Sequence, residues 1–295
     1  MAKIAVELER ALTCRREHGS PGQTVPRLLA RGDGWTVADV VCTSGPQDRP
    51  FEEQHDRYVI AVVLAGSFQH RSPLGRGVMT PGALMLGNRG HGFECGHQHG
   101  EGDRCVSFWY EPEYFEQLSV EAGMRLVDVG FRVAHLPALR EWSSLAAQAG
   151  AGATASSEVS WEEIGVQLAT SALRLATSDS CTPRAVPSNA EARVTKIVRT
   201  IARHPDASLT LDALAREAGL SRYHFLRTFE QLTGITPHQY VRRSRLREAG
   251  MRLIAEPGSV LNIALDCGFG DISTFNRAFR TEFGMSPRAF RARMR

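Results

Sequence analysis

The C-terminal third of the chain contains the same unit twice, and this repeat limits the fold more than any other feature. Leu214-Ala215, Ala218-Gly219, Phe225, Arg227, Phe229, Gly234, Pro237 and Tyr240 form the first copy. Ile263-Ala264, Cys267-Gly268, Phe275, Arg277, Phe279, Gly284, Pro287 and Phe290 form the second. The offset is 49 residues up to the Gly219/Gly268 pair and 50 from Phe225/Phe275 onward, so the second turn is one residue longer. Register over so many positions is hard to produce by chance.

Each copy has the local physics of a helix-turn-helix. Thr210 can cap a helix running to Ala218, and Gly219 supplies the left-handed residue that stops it. Leu220 plugs the angle between the helices, and Ser221 caps the next one. There Phe225, Phe229 and Leu232 face inward, leaving Arg222, Tyr223, Leu226 and Arg227 nearer the outside. The second copy repeats the pattern with Ser259 as cap, Gly268 as stop, Phe269 as plug and Asp271 as second cap. Its inward face is Phe275, Phe279 and Phe283, and its outward residues are Ile272, Ser273, Asn276 and Arg277. The units fall at about 209–232 and 259–283. Upstream, Val194, Ile197, Val198 and Ile201 form an amphipathic stripe that ends near His204-Pro205.

A short helix presented in this way fits the DNA major groove. Arg227 and Arg277 stand at equivalent positions, and arginine can pair bidentately with guanine; Asn276 can do the same with adenine. Tyr223, Leu226 and Ile272 can meet thymine methyl groups. Charge agrees with a polyanionic partner. Residues 191–295 carry 18 basic against 10 acidic side chains, a balance of +8. The chain totals of 35 and 32 leave 17 against 22, or −5, for residues 1–190. A basic third on an acidic remainder reads as a polyanion-binding module attached to something else.

The run Ile263-Ala-Leu-Asp-Cys-Gly-Phe-Gly-Asp-Ile-Ser-Thr-Phe-Asn-Arg-Ala-Phe-Arg-Thr-Glu-Phe-Gly-Met-Ser-Pro-Arg-Ala-Phe290 resembles, nearly position for position, the second-unit signature of the AraC/XylS family of transcription regulators. The resemblance extends over about Ala192–Arg293. It implies two helix-turn-helix units joined by a long helix, here about His238–Ile254, with Leu246, Ala249 and Leu253 toward the core. It also implies that recognition helices enter successive major-groove segments of double-stranded promoter DNA. Carried over by position, Arg222, Tyr223, Leu226 and Arg227 form the first reading set; Ile272, Ser273, Asn276 and Arg277 form the second. Ile272 and Ser273 are poor hydrogen-bonding readers, so the second unit would rely partly on backbone contacts and DNA shape.

Ahead of this region, Ser178–Asn189 is polar, carries two prolines and has no apolar period, which reads as a linker. The expected division is residues 1–178, a linker over 179–190, and residues 191–295. From about Trp35 to Tyr110 the texture is short β-rich runs punctuated by glycine and proline. Tyr58–Leu64, Val78–Leu86 with its turn at Pro81-Gly82, and Arg104–Tyr110 are strand candidates. Helices are expected after Glu111 and over Leu136–Ala149 and Glu158–Thr177, the last with Ile164, Leu168, Ala172 and Leu175 inward. The fold class is therefore α+β: a β-sandwich or small barrel with helices, followed by an all-α domain. Family resemblance implies that the first domain is cupin-like, binds an effector and supports a homodimer. Only His55 stands near the place of the paired histidines of metal-dependent cupin enzymes.

One cluster in this half is rich in metal-ligating and thiol chemistry: Cys95-Gly-His97-Gln-His99-Gly-Glu-Gly-Asp103-Arg-Cys105. If Phe93–His99 is a strand, Cys95, His97 and His99 share a face. A hairpin turn at Gly100–Asp103 would return Cys105 close by. Two thiols and two imidazoles can complete a site for zinc, or for copper or iron. With a tight turn, however, Cys105 would lie opposite Gln98, on the other face, and a bulge would be required. Thiol redox sensing, a buried structural cysteine pair, and polar strand residues lining a pocket for an organic effector are the other readings. His70 and Cys42 are lone candidates for a further ligand.

The chain thus reads as a cytoplasmic, non-enzymatic transcription regulator with a small-molecule or metal effector and RNA polymerase as a candidate partner. No apolar run is long enough to cross a bilayer, and the N-terminus carries Glu7, Glu9 and Glu17 where a signal peptide needs an apolar core. Six cysteines without framework spacing argue against a disulfide-stapled secreted protein. The alternative is a cupin-type metal- or thiol-dependent enzyme carrying a DNA-binding tail.

Overall fold

The computed structural model describes residues 3–125, 129–154, 159–176, 188–207 and 209–294. Most of the segment read as a linker lies outside the described residues. The first half opens with α1 (Lys3–His18) and continues with nine strands: β1 (Thr24–Gly32), β2 (Trp35–Cys42), β3 (Phe51–Gln54), β4 (Tyr58–Gly66), β5 (Phe68–Ser72), β6 (Gly75–Met79), β7 (Leu84–Gly87), β8 (Gly92–Gly96) and β9 (Asp103–Tyr110). Then come α2 (Pro112–Glu121), β10 (His135–Leu136), a 3-10 turn (Arg140–Trp142), α3 (Ser143–Thr154) and α4 (Trp161–Ala176). Two antiparallel sheets result, of order β1-β2-β9-β4-β7-β10 and β3-β8-β5-β6.

Strand alternation divides the larger sheet into two environments. On β4 and β9, Ile60, Val62, Val106, Phe108 and Tyr110 pack under Phe115, Trp142, Ile164 and Leu168 of the helical layer. The intervening Val59, Ala61, Val63 and Cys105 face the other way, with Phe68 and Met79 of the smaller sheet. This is why Tyr58–Leu64 reads as a continuous apolar run: both of its faces are covered. On the helical side, the fully buried Arg104 is neutralised by Asp39 across β2, through Nε and Nη2 at 2.8 Å each, and by Glu7 of α1 at 2.7 Å.

Three expectations need correction. The stretch Leu136–Ala149 is not one helix; Leu136 pairs with Leu84 in the sheet, and α3 begins only at Ser143. On α4, Leu175 is 37% exposed, and Leu173 and Ala176 take the buried positions. Most consequential, β8 and β9 are not a hairpin. Cys95 pairs with Phe51 and His70 in the smaller sheet, whereas Cys105 pairs with Val40 and Val63 in the larger. The 97–102 segment crosses between sheets.

The second half is helical: α5 (Ser188–Arg203), α6 (Leu211–Glu217), α7 (Arg222–Thr233), α8 (Pro237–Ala255), α9 (Val260–Asp266), α10 (Ile272–Phe283) and α11 (Pro287–Met294). The pair α6–α7 encloses one core with Val194, Ile197 and Ile201 of α5. The pair α9–α10 encloses another with Leu246, Ala249 and Leu253 of α8. Helix α8 therefore joins the two pairs, as the family resemblance implies for about 238–254.

Candidate reading helices and an inter-sheet cavity

The two exposed helices are built by the same local devices. Thr210, Ser221, Ser259 and Asp271 each accept a hydrogen bond from the backbone NH three residues on, at 3.2, 3.4, 3.0 and 2.7 Å. Those bonds satisfy amides that have no partner within the helix. At Asp271 the bonds from Thr274 hold the carboxyl below its usual pKa. Gly219 and Gly268 stop the preceding helices at φ +64° and +84°. At Gly268 a Cβ would also lie 2.6 Å from the carbonyl oxygen of Pro205.

Burial follows the same register along α7 and α10. Phe225 and Phe229, like Phe275 and Phe279, are fully buried. Arg222, Tyr223 and Arg227 are exposed on α7, as are Ser273 and Arg277 on α10; Leu226 and Asn276 are half-buried at equivalent places. Tyr223 is 67% exposed, a large aromatic ring left in solvent. Two residues of the expected reading sets are partly engaged elsewhere. Arg222 pairs with Asp212 of α6, and Ile272 packs against the core of the second pair.

Between the sheets lies a cavity of about 630 Å³, lined by apolar residues such as Val59, Phe68, Phe93 and Trp109, by polar residues of the 53–57 segment, and by a polar group where β2 ends and β9 begins. Of the expected cluster, Cys95, His97 and Cys105 line it. His99 is half-buried outside that lining. Two other residues complete the polar group. Asp103, read from sequence as part of a turn, opens β9, and Cys42, read as a lone cysteine, pairs with it directly across β2. His97 Nε2 lies 2.7 Å from Asp103 Oδ1, and the Cys105 thiol donates to Asp103 Oδ2 at 3.3 Å. Alternation along β9 could have put Asp103 on the face of Cys105, but nothing local announces β2 as its partner.

Burial disfavours the charged form of His97, yet its bonds to Asp103 and Cys42 prevail and raise its pKa to about 9. Burial likewise raises the Cys42 thiol, and the bond to His97 outweighs it, leaving that pKa lowered. Cys95 and Cys105 have no such compensation, and burial pushes both thiols well up. The cavity end therefore holds one thiol poised toward its anion and two held neutral.

Residues 214–293 match the family model described as a helix-turn-helix domain. The chain is 37% identical over 103 residues to the HTH-type transcriptional activator RhaS of Escherichia fergusonii, covering 35% of this chain and 37% of that one. With the HTH-type transcriptional activator RhaS of Salmonella arizonae it is 28% identical over 260 residues, covering 83% of this chain and 89% of that protein. These matches support an AraC/XylS-type DNA-binding regulator. Among solved structures, the DNA-binding domain of AdpA in complex with a target DNA is similar at 32% identity and a TM-score of 0.34, over 34% of this chain and 91% of that one.

The β-rich half and the helical half are packed together. Ala147 and Ala151 of α3 belong to the core of the second helix pair. Gly250 permits this approach, since a Cβ there would stand 3.3 Å from that of Ala147 and 3.0 Å from the Phe283 ring. Arg243 of α8 donates to the carbonyl of Ala138 at 2.5 Å. A second bridge forms beside the cavity: Arg199 of α5 donates to the carbonyl of Glu101 at 2.6 Å, within the 97–102 crossing. Arg245 of α8 ties the α5–α6 connection to the α9–α10 turn, donating to the Pro205, Gly268 and Ala207 carbonyls at 2.7, 2.8 and 2.9 Å.

Proposed function

We propose that this chain is a one-component regulator in which residues 1–178 form a cupin-like, effector-sensing and dimerising domain. In that reading residues 179–190 link it to residues 191–295, which bind double-stranded promoter DNA with α7 and α10 as reading helices. One observation carries it: α7 and α10 repeat a single register of burial, so Arg227 and Arg277 are exposed at equivalent positions on capped, glycine-stopped helices. Arg222, Tyr223, Leu226 and Arg227 form the first reading set, and Ile272, Ser273, Asn276 and Arg277 the second. The packing of Ile272 against the core favours a second unit that contributes more through phosphates and DNA shape than through base edges.

The effector is a small molecule held in the cavity between the sheets, whose volume of about 630 Å³ falls in the range of small-ligand sites. A ligand there acts on DNA binding only if it binds two arrangements of the chain unequally. The contacts of α3 with α8, and of Arg199 with the 97–102 crossing, are the route by which one half reports to the other. In the cytoplasm, a homodimer on paired half-sites would then present the regulator to RNA polymerase.

Selection of a binding site from random DNA, followed by gel-shift titration of Arg227→Ala and Arg277→Ala, tests the reading. Arg227→Ala should lose about 1–3 kcal/mol on the selected site and relax preference at one base. Equal losses on selected and random DNA would reduce Arg227 to a phosphate contact. Screening metabolites for a shift in operator affinity tests the cavity.

A further inference from the structure

We infer that Cys42, His97 and Asp103 form a three-ligand site for a zinc-class divalent metal ion, with a fourth coordination position open to the inter-sheet cavity. The sulfur, imidazole nitrogen and carboxylate oxygen all lie within 4.8 Å of one another. All three residues line the cavity, and His97 and Asp103 are each only 6% exposed. Metal–ligand bonds of about 2.0–2.3 Å place tetrahedral donors roughly 3.3–3.7 Å apart, so the group closes on an ion with side-chain shifts of about an ångström.

The donors come from three separate places, which is what holds them. Cys42 ends β2 and Asp103 begins β9, in direct register on one face of the larger sheet. His97 follows the end of β8 in the smaller sheet. An ion there would fasten the two sheets at the crossing segment. The surroundings also orient the donors: the Cys105 thiol donates to Asp103 Oδ2, and Ser44 hydrogen-bonds the Cys42 sulfur. Such outer partners fix the geometry of ligands.

The donor set selects the ion. One sulfur, one imidazole and one carboxylate suit zinc better than calcium or magnesium, which take oxygen ligands. Three protein ligands with one open position make a site that accepts a further donor from a bound molecule. An effector carrying an anionic or carbonyl oxygen would complete the coordination from the cavity. That last step rests on the effector reading above; the metal site itself does not.

The full-length chain, stripped with chelator and kept reduced, is titrated with Co²⁺ and then Zn²⁺ in the absence of DNA and effector. One Co²⁺ per chain is expected, with a thiolate-to-cobalt charge-transfer band that Zn²⁺ abolishes. Cys42→Ser should lose the band and Asp103→Asn should bind at least tenfold more weakly, while Cys14→Ser, on the exposed α1 pair with His18, should behave as the parent. In the parent chain, bound Zn²⁺ should also shield Cys42 from alkylation, mapped by mass spectrometry, and leave Cys14 reactive; this readout needs no folded variant. Failure of the parent to take up metal, a band surviving in Cys42→Ser, or alkylation of Cys42 unchanged by saturating Zn²⁺ would each overturn the site. Operator binding that still responds to a metabolite in a chain without metal uptake would remove the metal and leave the effector pocket standing.

Discussion

The Ser143 hydroxyl, at the start of α3, donates to Glu282 Oε1 of α10 at 2.5 Å. Both residues are buried, so a helix of the β-rich half is fastened by its first turn to the helix proposed to carry the second reading set. Removing the hydroxyl leaves a buried carboxylate oxygen short of a donor. Ser143→Ala should cost about 1–2 kcal/mol in denaturant unfolding. An unchanged midpoint would mean that this contact does not hold the halves together.

The α3–α8 approach depends on a missing side chain. At Gly250 the nearest atoms to a new Cβ are the Phe283 ring and the Ala147 methyl. Gly250→Leu should overpack this seam and destabilise by about 1–3 kcal/mol. It should also make the junction accessible to protease, read by limited digestion. Parent-like digestion would show that the seam yields freely.

Two glycine stops separate conformational cost from steric cost. Gly268 has φ +84° and the Pro205 carbonyl directly in the path of a Cβ; Gly284 has φ +73° with nothing within 4 Å. Gly284→Ala should therefore cost only the left-handed backbone strain, about 1 kcal/mol, whereas Gly268→Val should exceed about 2 kcal/mol. Equal losses in thermal melts would refute the contact between the second turn and the 205–206 segment.

Arg245 and Arg227 look alike in sequence, yet their partners differ. Arg245 donates to three backbone carbonyls, two in the α5–α6 connection and one in the α9–α10 turn, while Arg227 is exposed. Arg245→Ala should lower unfolding stability by about 2–4 kcal/mol, since hydrogen bonds to charged donors are the stronger ones. Arg227→Ala should leave stability within about 0.5 kcal/mol. The reverse pattern in parallel melts would exchange their roles.

Acid should weaken the β-rich half. Burial lowers the pKa of His55 to about 4 and of His70 to about 3. Both histidines are protonated more readily in the unfolded chain, whose histidines titrate near 6.5. The contribution of these two histidines to stability is thus complete above about pH 6.5 and falls as pH drops toward 4, by up to about 1.4 kcal/mol per pH unit for each histidine. His70→Phe should flatten that slope in melts between pH 4 and 7; an unaltered slope would assign the acid sensitivity to other groups.

What the sequence determined is local. Thr210, Ser221, Ser259 and Asp271 cap the helices they precede, Gly219 and Gly268 stop them, and Phe225, Phe229, Phe275 and Phe279 fill the cores, because capping and helical periodicity involve residues a turn or two apart. The repeat and the basic third followed from the residues themselves. Tertiary structure decided what depends on distant partners. The cysteine and histidine positions around 95–105 read as one hairpin, but a strand carries no mark of which sheet it joins. Placing β8 and β9 in different sheets replaced His99 by Asp103 and brought Cys42, some sixty residues away in sequence, to the same group. Likewise Ala147 and Ala151 lie on a helix that serves both halves, a role that alanine at helical spacing cannot announce. Local hydrogen bonding and periodicity set the elements, and long-range strand pairing and helix packing assembled the site.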